Sequence, residues 1–171
     1  MGFFMWLAID VGYFDNKALA VGIVFEEVDS QKPIKIYTAI IDDIAPYEPG
    51  AFYKRELPCT LALFKTILEP ITTIVIDGYV HLGADQKNGL GMHLYKQVHL
   101  PVIGVAKNYF KETPQECELY RGISQKPIYV TAVGYTQNQA KIMIQKMYGK
   151  NRIPDLLKLA DRYSRDQSLC F

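Results

Sequence analysis

The strongest constraint on the fold is a short apolar stretch near the middle of the chain, Ile74-Val75-Ile76-Asp77-Gly78, which ends in a carboxylate and a glycine. A run this apolar and β-branched is typical of a central strand that is buried on both faces, as in α/β sheets. Ligands bind such sheets at the carboxyl ends of the strands, which is where Asp77 falls. The plainer interpretation is that Asp77 only caps a turn or helix, because Asp-Gly is common in turns.

A second stretch repeats this pattern near the N-terminus. Phe4–Tyr13 is an apolar run that is interrupted by Asp10 and followed by Gly12. A buried carboxylate without a partner is costly or becomes neutral, and two on neighbouring strands repel each other. A divalent cation between Asp10 and Asp77 resolves both problems, and hard oxygen ligands suit Mg²⁺ or Mn²⁺. An Asp in an apolar strand also occurs in folds that hold no metal, so this pattern leaves both interpretations open.

Composition narrows the class of protein without selecting a function. The chain has 171 residues, 49% hydrophobic and 22% charged, which predicts one globular domain over residues 1–171. The net charge of +1 means that any polyanion would have to be held by a local patch. Cys59, Cys117 and Cys170 show no paired spacing, so neither a disulfide framework nor a zinc site is expected, and a reducing cytoplasm fits. Met1–Leu7 is too short for a signal peptide or a membrane span.

Hydrophobic periodicity predicts a meander of strands followed by alternating helices and strands. The predicted strands are 3–13, 18–25, 34–41, 71–77, 101–106 and 127–133, and the predicted helices are 57–68, 89–98, 137–148 and 155–166. Residues 78–88 are rich in glycine and polar residues, and residues 108–126 are expected to be irregular. This order matches the ribonuclease H-like architecture, an α/β fold with an antiparallel three-strand meander plus parallel strands in one mixed sheet, flanked by helices. In that architecture, the first strand and the strand after the first helix both carry metal-binding carboxylates.

Three further features each have a functional and a plain interpretation. Tyr47 lies between Pro46 and Pro49, and a ring held out by a stiff loop can stack on bases or wedge between them. It could equally fold back on the core. Glu56, at the start of a predicted helix, could simply interact favourably with the helix dipole. Lys107 follows a predicted strand and could be merely exposed, but a lysine beside carboxylates can bind a phosphate or position a water.

Taken together, these stretches resemble the endonuclease V family of repair nucleases. The resemblance covers nearly the whole chain, and the ordered set is specific although each motif alone is not. It rests on Ile9–Tyr13, Tyr47–Gly50 leading into Arg55-Glu56, Ile76–Gly78, Pro101–Lys107 and, more weakly, Arg152–Pro154 with Leu159–Arg162; Gly89–Leu94 also looks like the family's small-residue helix.

The resemblance implies a metal-dependent catalytic site. Asp10 and Asp77 would bind the catalytic Mg²⁺, with Mn²⁺ as the other suitable cation, and Glu56 would complete the acidic site. Asp161 falls where the family has a histidine or aspartate near the metal. Lys107 matches the family's active-site lysine.

The resemblance also implies how a substrate is recognised. Tyr47, flanked by Pro46 and Pro49, would be the wedge, and Gly50 and Gly78 match backbone positions that line the pocket for a flipped hypoxanthine base. The family cuts the second phosphodiester bond 3′ to deoxyinosine in DNA, and some members cut inosine-containing RNA. The chain is therefore expected to be a cytoplasmic, monomeric enzyme that binds nucleic acid and no membrane.

The chain departs from the family pattern at several points. Glu48 stands in the wedge where an apolar residue is more common, and residues 81–88 replace the basic Pro-Arg segment usual after the second aspartate. Gly134-Tyr135-Thr136 lacks the family's histidine, and the segment that usually leads the first strand is expected to be missing. Two alternatives to the nuclease therefore stay open: a homologue that binds nucleic acid but cuts weakly or not at all, and a ribonuclease H-like nuclease without inosine preference.

Overall fold

A mixed β-sheet with helices on both faces organises the protein. The computed structural model describes residues 4–170, and the bounds below refer to them. The strands are β1 (Met5–Phe14), β2 (Lys17–Phe25), β3 (Lys35–Ile41), β4 (Ile71–Asp77), β5 (His81–Leu82), β6 (Lys87–Asn88), β7 (Val102–Ala106), β8 (Glu118–Leu119) and β9 (Ile128–Val133). The helices are α1 (Tyr53–Phe64), α2 (Leu90–Val98), α3 (Gln137–Lys146) and α4 (Asp155–Ser164).

The order of the strands confirms the predicted mixed sheet. Seven strands of the described chain form one sheet in the order β3-β2-β1-β4-β7-β9-β8, and β5 and β6 form a separate hairpin. β1, β2 and β3 are the predicted antiparallel meander, while β1, β4 and β7 run parallel to one another. β9 runs antiparallel to β7, so the parallel group ends at β7 rather than extending to the last long strand.

Each face of the sheet has its own core because alternate side chains of a strand point in opposite directions. On one face, α3 and α4 bury Ala140, Ile144, Leu156 and Ala160 against β1, β2 and β7. On the other face, α1 and α2 bury Cys59, Leu63, Leu90 and Leu94. Full burial of one such aliphatic side chain contributes roughly 1.5–3 kcal/mol. The near-continuous apolar runs of β1 and β4 follow from this coverage on both faces.

The predicted boundaries are accurate for most strands and wrong for α1. β4 has the predicted bounds, and the other long strands differ by one or two residues; the predicted first residue of β1 lies outside the described range. α1 begins at Tyr53 rather than residue 57 and ends at Phe64 rather than residue 68. The chain tightens there, because Thr66 N–H donates to the Leu63 carbonyl and Ile67 N–H to the Phe64 carbonyl.

Two segments in which no helix or strand was predicted contain short regular elements. Residues 78–88 include the β5–β6 hairpin, and residues 108–126 include a 3₁₀ turn over Gln115–Cys117 and the edge strand β8. These elements are too short for hydrophobic periodicity to reveal them. Across residues 4–170, no helix has the length and apolar character needed to cross a membrane.

Candidate active site

The ends of the three central parallel strands bring two carboxylates and an ammonium to one edge of the sheet. On the side covered by α3 and α4, the last core positions of β1, β4 and β7 are Ala8, Val75 and Val105. Side chains two residues apart share a face of a strand, so Asp10, Asp77 and Lys107 project from that same face. The pairing of Ile9 with Ile76 sets Asp10 beside Asp77. The period-two pattern of the strands therefore builds this cluster.

Asp10 is only 7% exposed, and its Oδ1 accepts a hydrogen bond from Val11 N–H at 2.9 Å. Burial, together with the nearby charge of Asp77, raises the pKa of Asp10 to about 8. Burial also raises the pKa of Asp77, while Lys107 opposes that rise. Additional positive charge at the end of the sheet would therefore stabilise the ionised form of both carboxylates.

Glu56 reaches this edge from α1 and is the most deeply enclosed of the acidic groups. It is 4% exposed, and its Oε2 has no hydrogen-bond partner in the described structure. Burial raises the pKa of Glu56 well above its usual range, and the charges of Asp10 and Asp77 add to that rise. A buried acceptor without a donor is rare in native proteins and calls for a ligand, an ion or a proton.

Lys107 and Arg165 neutralise the fourth carboxylate, Asp161 of α4. Lys107 Nζ lies 3.5 Å from Asp77 Oδ2 and 3.4 Å from Asp161 Oδ1, so its ammonium bridges the two groups. The Arg165 guanidinium donates to Asp161 Oδ2. Burial alone would lower the pKa of Lys107, but the surrounding carboxylates, Asp77 foremost, raise it overall.

Gly12 allows α4 to approach β1 closely enough to present Asp161. A Cβ on Gly12 would lie 1.9 Å from the carbonyl oxygen of Ser164, a distance that no side chain tolerates. Ser164 is buried and its Oγ donates to the Asp161 carbonyl at 2.8 Å. The glycine that follows Asp10 in the sequence is therefore required by the contact between β1 and the last turn of α4.

The carboxylate oxygens of the site are ligands that suit a divalent cation, but they do not form a closed cage. Asp10, Glu56 and Asp77 supply hard oxygen ligands, and the unpartnered Glu56 oxygen is free to accept a cation. Within residues 4–170, however, no three His, Cys, Asp or Glu side chains are arranged to hold a metal ion. Asp161 accounts for part of this, because its two oxygens already face Lys107 and Arg165.

Two neighbouring cavities open at this edge of the sheet. The acidic cavity, about 250 Å³ in volume, is lined by Asp10, Glu56, Asp77 and Lys107 among others. The aromatic cavity, about 310 Å³, is lined by Tyr47, Gly50, Phe52, Tyr53, Gly78, Tyr79, Leu82, Gly89, Leu90 and Phe110. Phe52, Gly78 and Tyr79 line both cavities. A ligand bound in the aromatic cavity would therefore lie beside the acidic cavity.

The structure places the predicted substrate-binding residues around the aromatic cavity, with two exceptions. Tyr47, 62% exposed, lines it together with Gly50 and Gly78. Gly50 and Gly78 both have positive φ, 78° and 139°, a region that side chains other than glycine rarely adopt. Pro46 and Pro49 are exposed in the same loop but do not line the cavity.

Glycines also fix the loop that separates the two cavities. A Cβ on Gly104 of β7 would lie 2.5 Å from the Gly78 carbonyl oxygen, and a Cβ on Gly91 of α2 would lie 2.5 Å from a methyl of Val80. Val80 N–H donates to Thr131 Oγ1 at 2.8 Å. The chain after Asp77 can therefore cross β7 only because these positions lack side chains.

Several residues of this region were given no role from the sequence, although Arg152 belongs to one of the weaker motifs. Phe52, Tyr79 and Phe110 line the aromatic cavity, and Arg165 pairs with Asp161. Arg152 donates to the backbone carbonyls of Lys107 and Pro127, which anchors the end of β7. Only the Arg165 pair leaves a sequence signal, an Asp and an Arg four residues apart on a predicted helix. The cavity residues come from separate loops and show no pattern.

The fold and this edge define the class of protein: a ribonuclease H-like domain with carboxylates at the ends of its first strand and of the strand after its first helix. The endonuclease V family model matches residues 5–135. This match covers most of the chain, which therefore belongs to the endonuclease V family. Endonuclease V homologues are nucleases, a class of hydrolase.

Individual relatives agree with this assignment. Streptomyces coelicolor endonuclease V is 34% identical over 125 residues, which make up 72% of this chain and 53% of that protein, so the match spans about half of the relative's length. The crystal structure of Streptomyces avermitilis endonuclease V is 28% identical with a TM-score of 0.77, and the match covers 97% of this chain and 81% of that one.

A more distant structure shares the fold. Ciona intestinalis endonuclease V, solved in complex with a 23mer DNA containing an inosine followed by a ribo-adenosine, is 20% identical with a TM-score of 0.79. The match covers 95% of this chain and 84% of that one. This likeness supports the ribonuclease H-like architecture of the chain.

Proposed function

We propose that this chain is a divalent-metal-dependent endonuclease that acts as one domain over residues 1–171 and cuts a phosphodiester bond 3′ to inosine or deoxyinosine in nucleic acid. Such an activity would serve DNA repair or the cleavage of inosine-containing RNA. One observation carries the proposal: an acidic cavity and an aromatic cavity share a wall made of Phe52, Gly78 and Tyr79. A base held in the aromatic cavity would leave the attached sugar–phosphate backbone beside the acidic cavity.

Asp10 and Asp77 would hold Mg²⁺ or Mn²⁺, with Glu56 completing the acidic site. When bound, the ion would supply charge neutralisation at the phosphate and an activated water. Three carboxylates with raised pKa values, of which Asp10 and Glu56 are buried, support this role, since a module that only binds nucleic acid has no need to keep mutually repelling acids.

Lys107 would contact the scissile phosphate or orient the attacking water. Its ammonium already lies among the carboxylates, 3.5 Å from Asp77, and Arg152 holds its backbone carbonyl. Asp161 would keep that ammonium at the end of β7 rather than in solvent. Because an ammonium is a compact charge with three donors, it can follow a phosphate as charge develops during cleavage.

The aromatic cavity would receive the extruded base. Its volume of about 310 Å³ lies at the lower end of the range for small-ligand pockets, roughly 300–1,000 Å³. Gly50 and Gly78 let backbone groups approach the base, and Phe52 and Tyr79 offer ring surfaces. Extrusion costs least for a weakly paired base such as hypoxanthine. Tyr47 would fill the gap that the base leaves in the stack.

Matched oligonucleotides test this proposal. DNA and RNA strands carrying one inosine, or adenosine at the same position, are incubated with Mg²⁺, with Mn²⁺ or with EDTA, and Asp77→Asn serves as the inactive control. The expected result is metal-dependent cleavage of the inosine strands alone, at a bond 3′ to the inosine. Equal cleavage of inosine and adenosine strands would instead support a nuclease without base preference.

One observation favours a second candidate, a protein that binds inosine-containing nucleic acid with weak or no cleavage. Among the described residues no three acidic side chains form a metal cage. The Lys107 ammonium lies between Asp77 and Asp161, where its positive charge can take the place of a metal ion. Preferential binding of the inosine strand without metal-dependent cleavage would support this second candidate and contradict the first.

A further inference from the structure

One exposed face of α4 carries a stripe of positive charge. Lys158 and Arg162 of α4, and Arg165 directly after the end of the helix, are all exposed, and their spacing of four and three residues places them on the same side. The opposite side of α4, including Leu156 and Ala160, packs into the core. The stripe spans about 10 Å along the helix axis.

This stripe borders a groove that is lined by Asp161 of the candidate active site. The groove, about 620 Å³ in volume, lies between α4 and residues Gln31 and Pro33 of the link between β2 and β3. Asp161 also lines it, and the same carboxylate contacts Lys107 at 3.4 Å. The basic face therefore adjoins the acidic cluster at Asp161.

The charges in the groove favour an anionic occupant. In the described part of the chain, no ion pair joins Lys158 or Arg162 to a carboxylate. The acidic residues that line the groove are Asp155 and Asp161, and Asp161 is already neutralised by Lys107 and Arg165. Two cationic side chains are thus available to bind a ligand.

The composition of the chain makes such a local patch necessary for a nucleic-acid enzyme. A net charge of +1 gives no general attraction for a polyanion, and residues 81–88, after the second aspartate, contain a single Lys and no Arg. A groove that meets the acidic cluster at Asp161 is a position at which a strand leaving the site would be held.

We propose that the basic face of α4, formed by Lys158, Arg162 and Arg165, binds the sugar–phosphate backbone of the nucleic-acid strand on the Asp161 side of the site. This inference rests on the proposed function, because it takes the strand to pass through the acidic site that the proposed function assigns. Phosphate contacts of this kind position a strand without reading its sequence, so inosine and adenosine strands should be held equally by this face.

The test compares two double variants with the same loss of charge. Lys158→Gln/Arg162→Gln removes two charges from the stripe and leaves Arg165 with Asp161. The control, Lys65→Gln/Lys96→Gln, removes two exposed charges from the region of α1 and α2 on the opposite face of the sheet. Binding of labelled inosine and adenosine oligonucleotides is titrated in EDTA from about 50 to about 200 mM salt.

The stripe variant should bind both oligonucleotides more weakly and with less salt dependence. Loss of two phosphate contacts makes the negative slope of log K against log salt less steep, by roughly 1.4 for a single strand and 1.8 for a duplex. The control should keep the wild-type slope, and the charge-conserving Lys158→Arg/Arg162→Lys should retain it as well. A stripe variant with the wild-type slope, or with the same loss as the control, would overturn the inference.

The outcome of this binding test can be separated from the outcome of the cleavage test of the proposed function. If wild-type protein neither prefers nor cuts inosine strands, the proposed function fails, while the salt slopes still measure the stripe on the adenosine strand. If inosine strands are cut but the stripe variant keeps the wild-type slope, only the inference fails.

Discussion

The acidic edge and the Tyr47 loop lie next to each other but are built in opposite ways. Asp10, Asp77 and Lys107 stand at the ends of adjacent central strands, and Glu56 is buried beneath them. Tyr47, in contrast, belongs to an exposed connection between β3 and α1 without regular secondary structure. Chemistry requires fixed distances, whereas recognition of a strand requires a surface that can adjust to it.

This difference predicts different consequences of substitution. Changes at the acidic edge should alter turnover, metal binding and the pH dependence of stability, because the groups there are buried or half-buried and interact strongly. Changes in the loop should alter affinity and preference, because its side chains contact mostly solvent before a strand binds. The four predictions below test this division, beginning with the largest expected effect.

The largest effect concerns the metal-free stability of the protein as pH changes. The pKa of Asp10 rises on folding from 3.8 to about 8, so between these values the folded state binds more protons than the unfolded state. Stability must then fall as pH rises through this window, by up to about 1.4 kcal/mol per pH unit for one proton. Asp10→Asn should reduce the slope in denaturant titrations by the share of this one proton, since Glu56 and Asp77 also have raised pKa values, whereas Tyr47→Phe should not change it. A wild-type protein equally stable at both ends of the window would contradict this.

Lys107→Met should lower turnover by roughly 10²–10³-fold, the usual cost of one preorganised donor to developing charge. Binding of the uncut strand should change far less, because the contact strengthens only as the phosphate accumulates charge. Single-turnover cleavage and equilibrium binding measure the two effects separately. Lys111→Met, which removes an exposed charge a few residues further on, is the matched control. Equal losses in binding and turnover would make Lys107 a simple anchor for the strand.

Tyr47→Ala should weaken binding of inosine-containing duplex by roughly 1–3 kcal/mol, about 5- to 150-fold, as expected for one lost stacking contact. The preference over the adenosine duplex should shrink as well, because the gap left by the extruded base is no longer filled. Tyr47→Phe keeps the ring and should bind like wild type. Unchanged affinity of the alanine variant would mean that this loop does not touch nucleic acid.

Glu48→Ile should have the smallest effect and the opposite sign. The Glu48 carboxylate lies 3.3 Å from Lys54 Nζ in an exposed ion pair, so its repulsion of a phosphate backbone is partly offset. Its removal frees Lys54 and should tighten binding by less than about fivefold, to inosine and adenosine strands alike and most clearly at low salt. Glu48→Ile/Lys54→Gln should cancel the gain. Weaker binding by Glu48→Ile would show that the carboxylate helps to shape the loop.

The sequence predicted the elements that depend on periodicity and missed those that depend on contacts across the fold. β4 and its terminal Asp77 were located to the residue, because a strand buried on both faces has an unmistakable apolar run. The start of α1 was misplaced by four residues, because it begins in a turn with no side-chain cap at Phe52. The bounds of such a helix are set by packing rather than by local signals.

The candidate site shows the same division. The placement of Asp10, Asp77 and Lys107 on one face follows from strand periodicity and could be anticipated. The Arg165 partner of Asp161 was visible as a spacing of four residues but carried no weight without the fold. The shared wall of the two cavities could not be predicted, because it depends on the path of the chain after Gly78 over Gly104.

The central claim is that Asp10 and Asp77 together hold a divalent cation, and thermal unfolding with and without Mg²⁺ or Mn²⁺ tests it most directly. At a metal concentration of about 100 times Kd, wild-type protein should gain about 2.7 kcal/mol, or roughly 5–10 °C in Tm for a chain of this size. Asp85→Asn, an exposed control in the hairpin turn, should keep that shift, and Asp77→Asn should lose it. A full metal-induced shift in Asp77→Asn would contradict the account.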